Sequence, residues 1–182
     1  NIFRREGVAA AVIEGDSYHR YDRAEMKQVM GGITPSENPH FSHFGEEANI
    51  FDELESLFRT YSETGTGRGR KYLHNDDEAA PYGQPAGTFT PWERLPGSDL
   101  LFYEGLHGAV KTETVDVSRY PDLLIGVVPV INLEWIQKIH RDRSTRGYST
   151  EAVTDVILRR MHEYVHFICP QFTRTHINFQ RV

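Results

Sequence analysis

The sequence predicts an α/β layered fold, a mixed and largely parallel sheet flanked by helices and incomplete at both ends. Three observations lead there. Short apolar runs at 8–13, 99–104 and 123–128 have the composition of strands buried on both faces. Stretches with helical spacing lie between and after them, and strands alternating with helices feed a parallel sheet. The two ends read as cut inside elements: residues 1–6 look like the last turns of a helix stopped by Gly7, and 177–181 alternate like an unfinished strand.

In chain order, the run 8–13 is the first strand, and Glu14-Gly15-Asp16 sets carboxylates at its C-terminal edge. Residues 30–45 are polar with Gly and Pro and read as loop. An amphipathic helix is expected over 46–60, with Ile50, Leu54, Leu57 and Phe58 on its apolar face and Gly65, Gly67 and Gly69 stopping it. Short strands are expected at 71–74 and 88–90, inside a Gly-, Pro- and acid-rich stretch. After the strands 99–104 and 123–128, Asn132 is placed to cap a helix with Glu134 in its first turn. A last helix over 150–167 carries Val153, Val156, Ile157, Met161, Tyr164 and Val165 at helical spacing, and Pro170 ends it.

Composition removes several function classes. A net charge of -6 argues against a general nucleic-acid binder, which needs a basic field. The single cysteine, Cys169, excludes an internal disulfide framework and fits a reducing, cytoplasmic setting. No apolar run reaches membrane-spanning length, and no leader resembles a signal peptide.

Three constellations have the makings of a site. Asp16 stands beyond the end of a parallel strand, where open α/β sheets bind ligands, with His19, Arg20 and Arg23 close behind. Such a carboxylate accepts a proton from a hydroxyl while nearby cations hold a phosphate; an ordinary helix-capping aspartate is the competing reading. Glu104 ends an apolar strand in the manner of a Walker-B acid, though turn residues often look the same. The run from Lys138 to Gly147 gathers five Lys, Arg and His side chains around the single acid Asp142. Lys138, Arg141 and Asp142 share a helix face, and Arg141 and Arg146 are placed to clamp a phosphoryl group; a solvated ion-pair face is the alternative.

Two other stretches are set aside. His162-Glu163-Tyr164-Val165-His166 matches the H-E-x-x-H zinc-protease pattern, but its histidines fall opposite the apolar stripe and no strong third ligand follows. Gly65-Thr66-Gly67-Arg68-Gly69 lacks the G-x-x-x-x-G-K-[ST] spacing and follows a helix, so it is no phosphate loop.

The chain resembles the bacterial phosphoribulokinase family over nearly its whole length. The resemblance rests on Phe3-Arg4-Arg5-Glu6-Gly7-Val8, Ile13-Glu14-Gly15-Asp16, the run from Leu101 to Gly108, and above all the run from Gly126 to Arg143. It implies a P-loop kinase-like fold with residues 1–182 as one kinase domain. The implied activity is ATP-dependent phosphorylation of ribulose 5-phosphate to ribulose 1,5-bisphosphate in the Calvin cycle, with Mg²⁺ accompanying ATP. It makes Asp16 the base for the sugar hydroxyl, and Lys138 and Asp142 catalytic. His19, Arg23, Tyr72, His74, Arg141 and Arg146 become substrate-binding, Glu104 the metal residue, and Arg5 a position of allosteric control. It further implies NADH as activator, AMP as inhibitor, and a homo-octamer.

One departure bears on activity. The family's phosphate-binding loop precedes the helix that ends at Gly7, and neither it nor its strand is in the sequence. The 182 residues alone are therefore expected to be inactive. A uridine kinase-like P-loop kinase and a non-catalytic regulatory or assembly domain are the alternatives; Asp16, Glu104 and Asp142 near cations argue against the latter.

Overall fold

The computed structural model describes residues 2–32 and 37–180, without the side chains of Thr145 and Arg146. The helix α1 (Ile2–Arg5) ends through Gly7 at φ 72° and feeds β1 (Ala10–Glu14). A 3₁₀ turn over Gly15–Tyr18 follows, then α2 (Arg23–Met30). Asp22 caps α2, accepting from the Glu25 N–H while the Glu25 carboxylate takes the Asp22 N–H. The capping aspartate is thus Asp22, and Asp16 lies in the preceding turn.

The helix α3 (Phe51–Thr64) starts after a separate 3₁₀ turn over Glu46–Ala48 and runs to Gly65 at φ 67°. Its face of Phe51, Leu54, Leu57 and Phe58 forms the main core with Ile13, Tyr18, Val110, Val115 and Val117. The expected strands at 71–74 and 88–90 are replaced by the antiparallel pair β2 (Arg68–Gly69) and β3 (Glu93–Arg94), prolonged by an isolated Tyr72–Phe89 bridge. The short helix α4 (Asp76–Ala79) lies between them.

β4 (Leu100–Glu104) pairs in parallel with β1, in a register that sets Glu14 beside Glu104. β5 (Ile125–Val128) pairs in parallel with β6 (Ile177–Gln180). Each of these strands has one hydrogen-bonded neighbour among the described residues, so the sheet is in pieces. Val12, Phe102 and Val127 are accordingly exposed, where the sequence predicted burial on both faces, and Phe179 of β6 is exposed as well.

α5 (Ile131–Arg146) begins after Val130, with no side-chain cap, so Asn132 sits inside the first turn and does not cap it. Hydrophobic Val130 closes the extended segment, and Glu134 alone meets the dipole. Gly147 at φ 70° ends the helix, and Ser149 caps α6 (Thr150–Glu163), which packs on α5. The expected continuation to 167 is a π-helical turn over Tyr164–Ile168, followed by a 3₁₀ segment from Cys169 that holds Pro170. Among the described residues, no helix is long and apolar enough to cross a membrane.

Candidate active site

The parallel pair β1–β4 delivers three carboxylates to its C-terminal edge: Glu14, Glu104 and, one turn on, Asp16. The Asp16 carboxylate is about half exposed and accepts no hydrogen bond from the described residues; its neighbour is His19 Nε2 at 3.7 Å, too long for one. His19 is largely buried, and its backbone bridges to Asn49 while the Arg20 N–H bonds the Ala48 carbonyl at 2.8 Å. Burial holds the His19 imidazole below its usual pKa; Asp16 opposes that effect, and the charges of Arg70 and His74 add to it.

The segment between β2 and β3 forms the opposing wall. Tyr72 lies edge-on to His74 at 4.9 Å and to His19 at 6.5 Å between centroids, and His74 Nε2 is 3.6 Å from the Glu14 carboxylate. Arg23 reaches across from α2 to donate to the His74 carbonyl at 2.7 Å. Asp16, His19, Tyr72, His74 and Arg23 thus form a chain of neighbours beside the strand ends that carry Glu14 and Glu104.

Arg70 carries no sequence signal, yet it organises this wall. Its Nε donates to the Ser17 carbonyl at 2.8 Å and its Nη2 to the His19 carbonyl at 2.7 Å. The guanidinium also stacks 3.7 Å from the Phe89 ring centroid and 4.9 Å from that of Trp92. It ties the turn carrying Asp16 and His19 to the opposite segment.

A second cluster sits on α5. Asp142 is 3% exposed and accepts from Lys138 Nζ, one turn back, and from Arg141 Nε at 3.1 Å. The acid is buried, while Lys138 is partly and Arg141 largely exposed. The side chain of Arg146 lies outside the described residues. Beside the first cluster stands His43, whose ring centroid is 5.3 Å from that of His19. Burial pushes its pKa down to about 3, helped by the positive charges of Arg160, His19 and Lys138.

The zinc-like motif does not assemble a metal centre. Glu163 is 2% exposed and accepts from Asn38 Nδ2 and Ser42 Oγ, each at 2.7 Å. His162 stacks between His40 and His166, and among the described residues no group of three or more His, Cys, Asp or Glu side chains is placed to hold a metal ion. Arg5 lies apart from the mouth, exposed, in a 2.8 Å pair with Glu6.

The fold has counterparts among known proteins. The description "Phosphoribulokinase / Uridine kinase family" matches residues 1–182. The chain is 70% identical to the chromosomal phosphoribulokinase of Cupriavidus necator and 66% identical to the phosphoribulokinase of Nitrobacter vulgaris, in each case over 100% of its own length and 63% of the relative's. The solved phosphoribulokinase from Rhodobacter spheroides superposes with a TM-score of 0.86 at 59% identity, covering 98% of this chain and 62% of that one. The chain therefore spans about 63% of the length of these curated relatives. A mixed α/β kinase-like fold, a mouth of acids and cations at its parallel strand ends, and a match over every residue establish that the chain belongs to the phosphoribulokinase / uridine kinase family.

Proposed function

We propose that the protein phosphorylates ribulose 5-phosphate with ATP, giving ribulose 1,5-bisphosphate in the Calvin cycle, and that this chain supplies the sugar-phosphate half of the site. The observation that supports the reading best is the Asp16 carboxylate. It stands at the strand edge with no protein hydrogen bond among the described residues, beside a desolvated His19 whose ring lies edge-on to Tyr72. A carboxylate so placed orients the sugar hydroxyl and takes its proton as the oxygen attacks the γ-phosphorus and the bond to ADP breaks. His19, Arg23, Tyr72 and His74 hold the sugar phosphate. Lys138 and Arg141, braced by Asp142, together with Arg146, offset charge on the transferring group.

Glu104 is an oxygen donor at the same edge, and a single carboxylate with phosphates and water is a usual way to hold Mg²⁺. When bound with ATP, the ion would neutralise phosphate charge. The phosphates of ATP are assigned to a Gly-rich loop outside these 182 residues, because no stretch of the sequence has the required spacing. A homo-octamer, NADH activation and a control role for exposed Arg5 are carried over from the family resemblance as parts of the same proposal.

The test is Asp16→Asn in the full-length protein. Loss of a general base lowers turnover about 10²- to 10⁴-fold, and undiminished turnover would sink the assignment. A substrate panel separates the uridine kinase alternative: phosphorylation of nucleosides but not of ribulose 5-phosphate would favour it.

A further inference from the structure

The segment 38–45 reads in the sequence as an ordinary polar loop, but the structure fastens it from three sides. From α6, the buried Glu163 carboxylate accepts from Asn38 Nδ2 and Ser42 Oγ, each at 2.7 Å. It also lies so close over Gly45 that a β-carbon there would overlap it. From the loop after β4, His107 Nε2 bonds the Phe44 carbonyl at 3.0 Å. From the end of the 3₁₀ turn before α3, Asn49 Nδ2 donates to the carbonyls of His43 at 3.0 Å and Gly45 at 2.7 Å. Ser42 and Asn49 are almost wholly buried, at 0% and 1% exposure. So many bonds to one short loop hold its side chains in place before any ligand arrives.

The side chain this loop presents is His43. Its ring lies against His19, one of the proposed sugar-phosphate residues, and the charges of Arg160 and Lys138 bear on it. Its Nδ1 is buried with no protein partner among the described residues. A buried polar atom left in that condition is unusual enough to call for a function. A neutral imidazole donates from one nitrogen and accepts at the other, which matches a hydroxyl, itself donor and acceptor. Burial and the neighbouring cations keep His43 neutral throughout the physiological range.

Resting on the sugar-phosphate reading of the mouth, we propose that His43 is a further substrate-binding residue, hydrogen-bonding a sugar hydroxyl beside His19, and that Glu163 is the positioning residue that holds it there. The glutamate of the H-E-x-x-H pattern acquires a role by this account: it is an anchor for a binding loop.

The experiment uses the full-length protein and three variants, His43→Ala, His43→Asn and Glu163→Gln, with steady-state kinetics and calorimetric titration of ribulose 5-phosphate. His43→Ala is expected to raise the KM and Kd for the sugar phosphate about tenfold, the loss expected for one buried hydrogen bond. The KM for ATP should move less than twofold. His43→Asn, which keeps a donor and an acceptor, should recover part of the affinity. Glu163→Gln, which turns one acceptor into a donor facing the Asn38 amide or Ser42 hydroxyl, should shift the sugar-phosphate KM the same way. An unchanged sugar-phosphate KM in His43→Ala overturns the proposal. So does an equal rise in both KM values that follows a fall in Tm, which would mark a structural role alone. Failure of the underlying reading looks different: the wild-type protein would then bind no ribulose 5-phosphate, and both proposals would fall together.

Discussion

Among the described side chains of α5, Asp142 alone is buried, while Leu133 and Ile136 on the same helix face solvent. A carboxylate is a costly group to place there unless its lone pairs are filled, and Lys138 and Arg141 fill them. Removing one partner leaves the charge under-compensated, so Lys138→Met should destabilise the protein by about 3 kcal/mol. That is the lower end for a broken buried pair, since Arg141 remains. Lys138→Met with Asp142→Leu should regain much of that stability in urea titrations while turnover stays low. A double variant as unstable as the single one would show that the pair is not what the helix needs. Legibility at this scale followed distance along the chain. Asp16, His19 and Arg23 are visible as a short acid-and-base run after an apolar strand. Arg70 is not visible, because its partners Ser17 and His19 lie 53 and 51 positions away and only the packed fold brings them to it. His43 escapes for the same reason, being set among its neighbours by Glu163, Asn49 and His107.

Element by element, periodicity worked where a single face meets the core and failed where hydrogen bonding is local and irregular. The α3 face was legible because Leu54, Leu57 and Phe58 recur at helical spacing and are all buried. The pair β2–β3 was not, because two-residue strands are too short to show alternation. That segment depends instead on Gly87. Its φ of 87° disfavours any side chain, and a β-carbon there would come within 2.7 Å of Arg23 Cβ. The Arg23 N–H also bonds the Gly87 carbonyl at 2.9 Å, and the Arg23 guanidinium holds His74. Gly87→Ala should therefore cost more than about 1 kcal/mol of stability and raise the sugar-phosphate KM through Arg23. The two effects are separable by measuring KM well below the unfolding temperature. A normal KM there would show that Arg23 tolerates the shift.

At the scale of the whole molecule, one histidine joins the core to the site and sets how the fold responds to acid. His107 is 3% exposed, lies 4.8 Å from the Phe51 ring of α3 between centroids, and bonds the Phe44 carbonyl of the 38–45 loop through Nε2. Burial drives the His107 pKa down to about 4; the Phe44 bond opposes this, and His19 adds a little to it. In the unfolded chain the same imidazole titrates near about 6.5. Between these values the unfolded state binds the proton and the folded state does not, so stability falls as pH drops from about 6.5 towards 4. Each such histidine contributes a slope of about 1.4 kcal/mol per pH unit. His43, pushed down to about 3, adds to the same window. Urea midpoints measured from pH 7.5 to 5, above the range of most carboxylates, should decline steeply in the wild-type protein. His107→Gln keeps an N–H for the Phe44 carbonyl but cannot take up a proton, so it should lower stability at pH 7.5 and flatten the decline. A decline as steep in His107→Gln as in the wild type would place the acid sensitivity elsewhere.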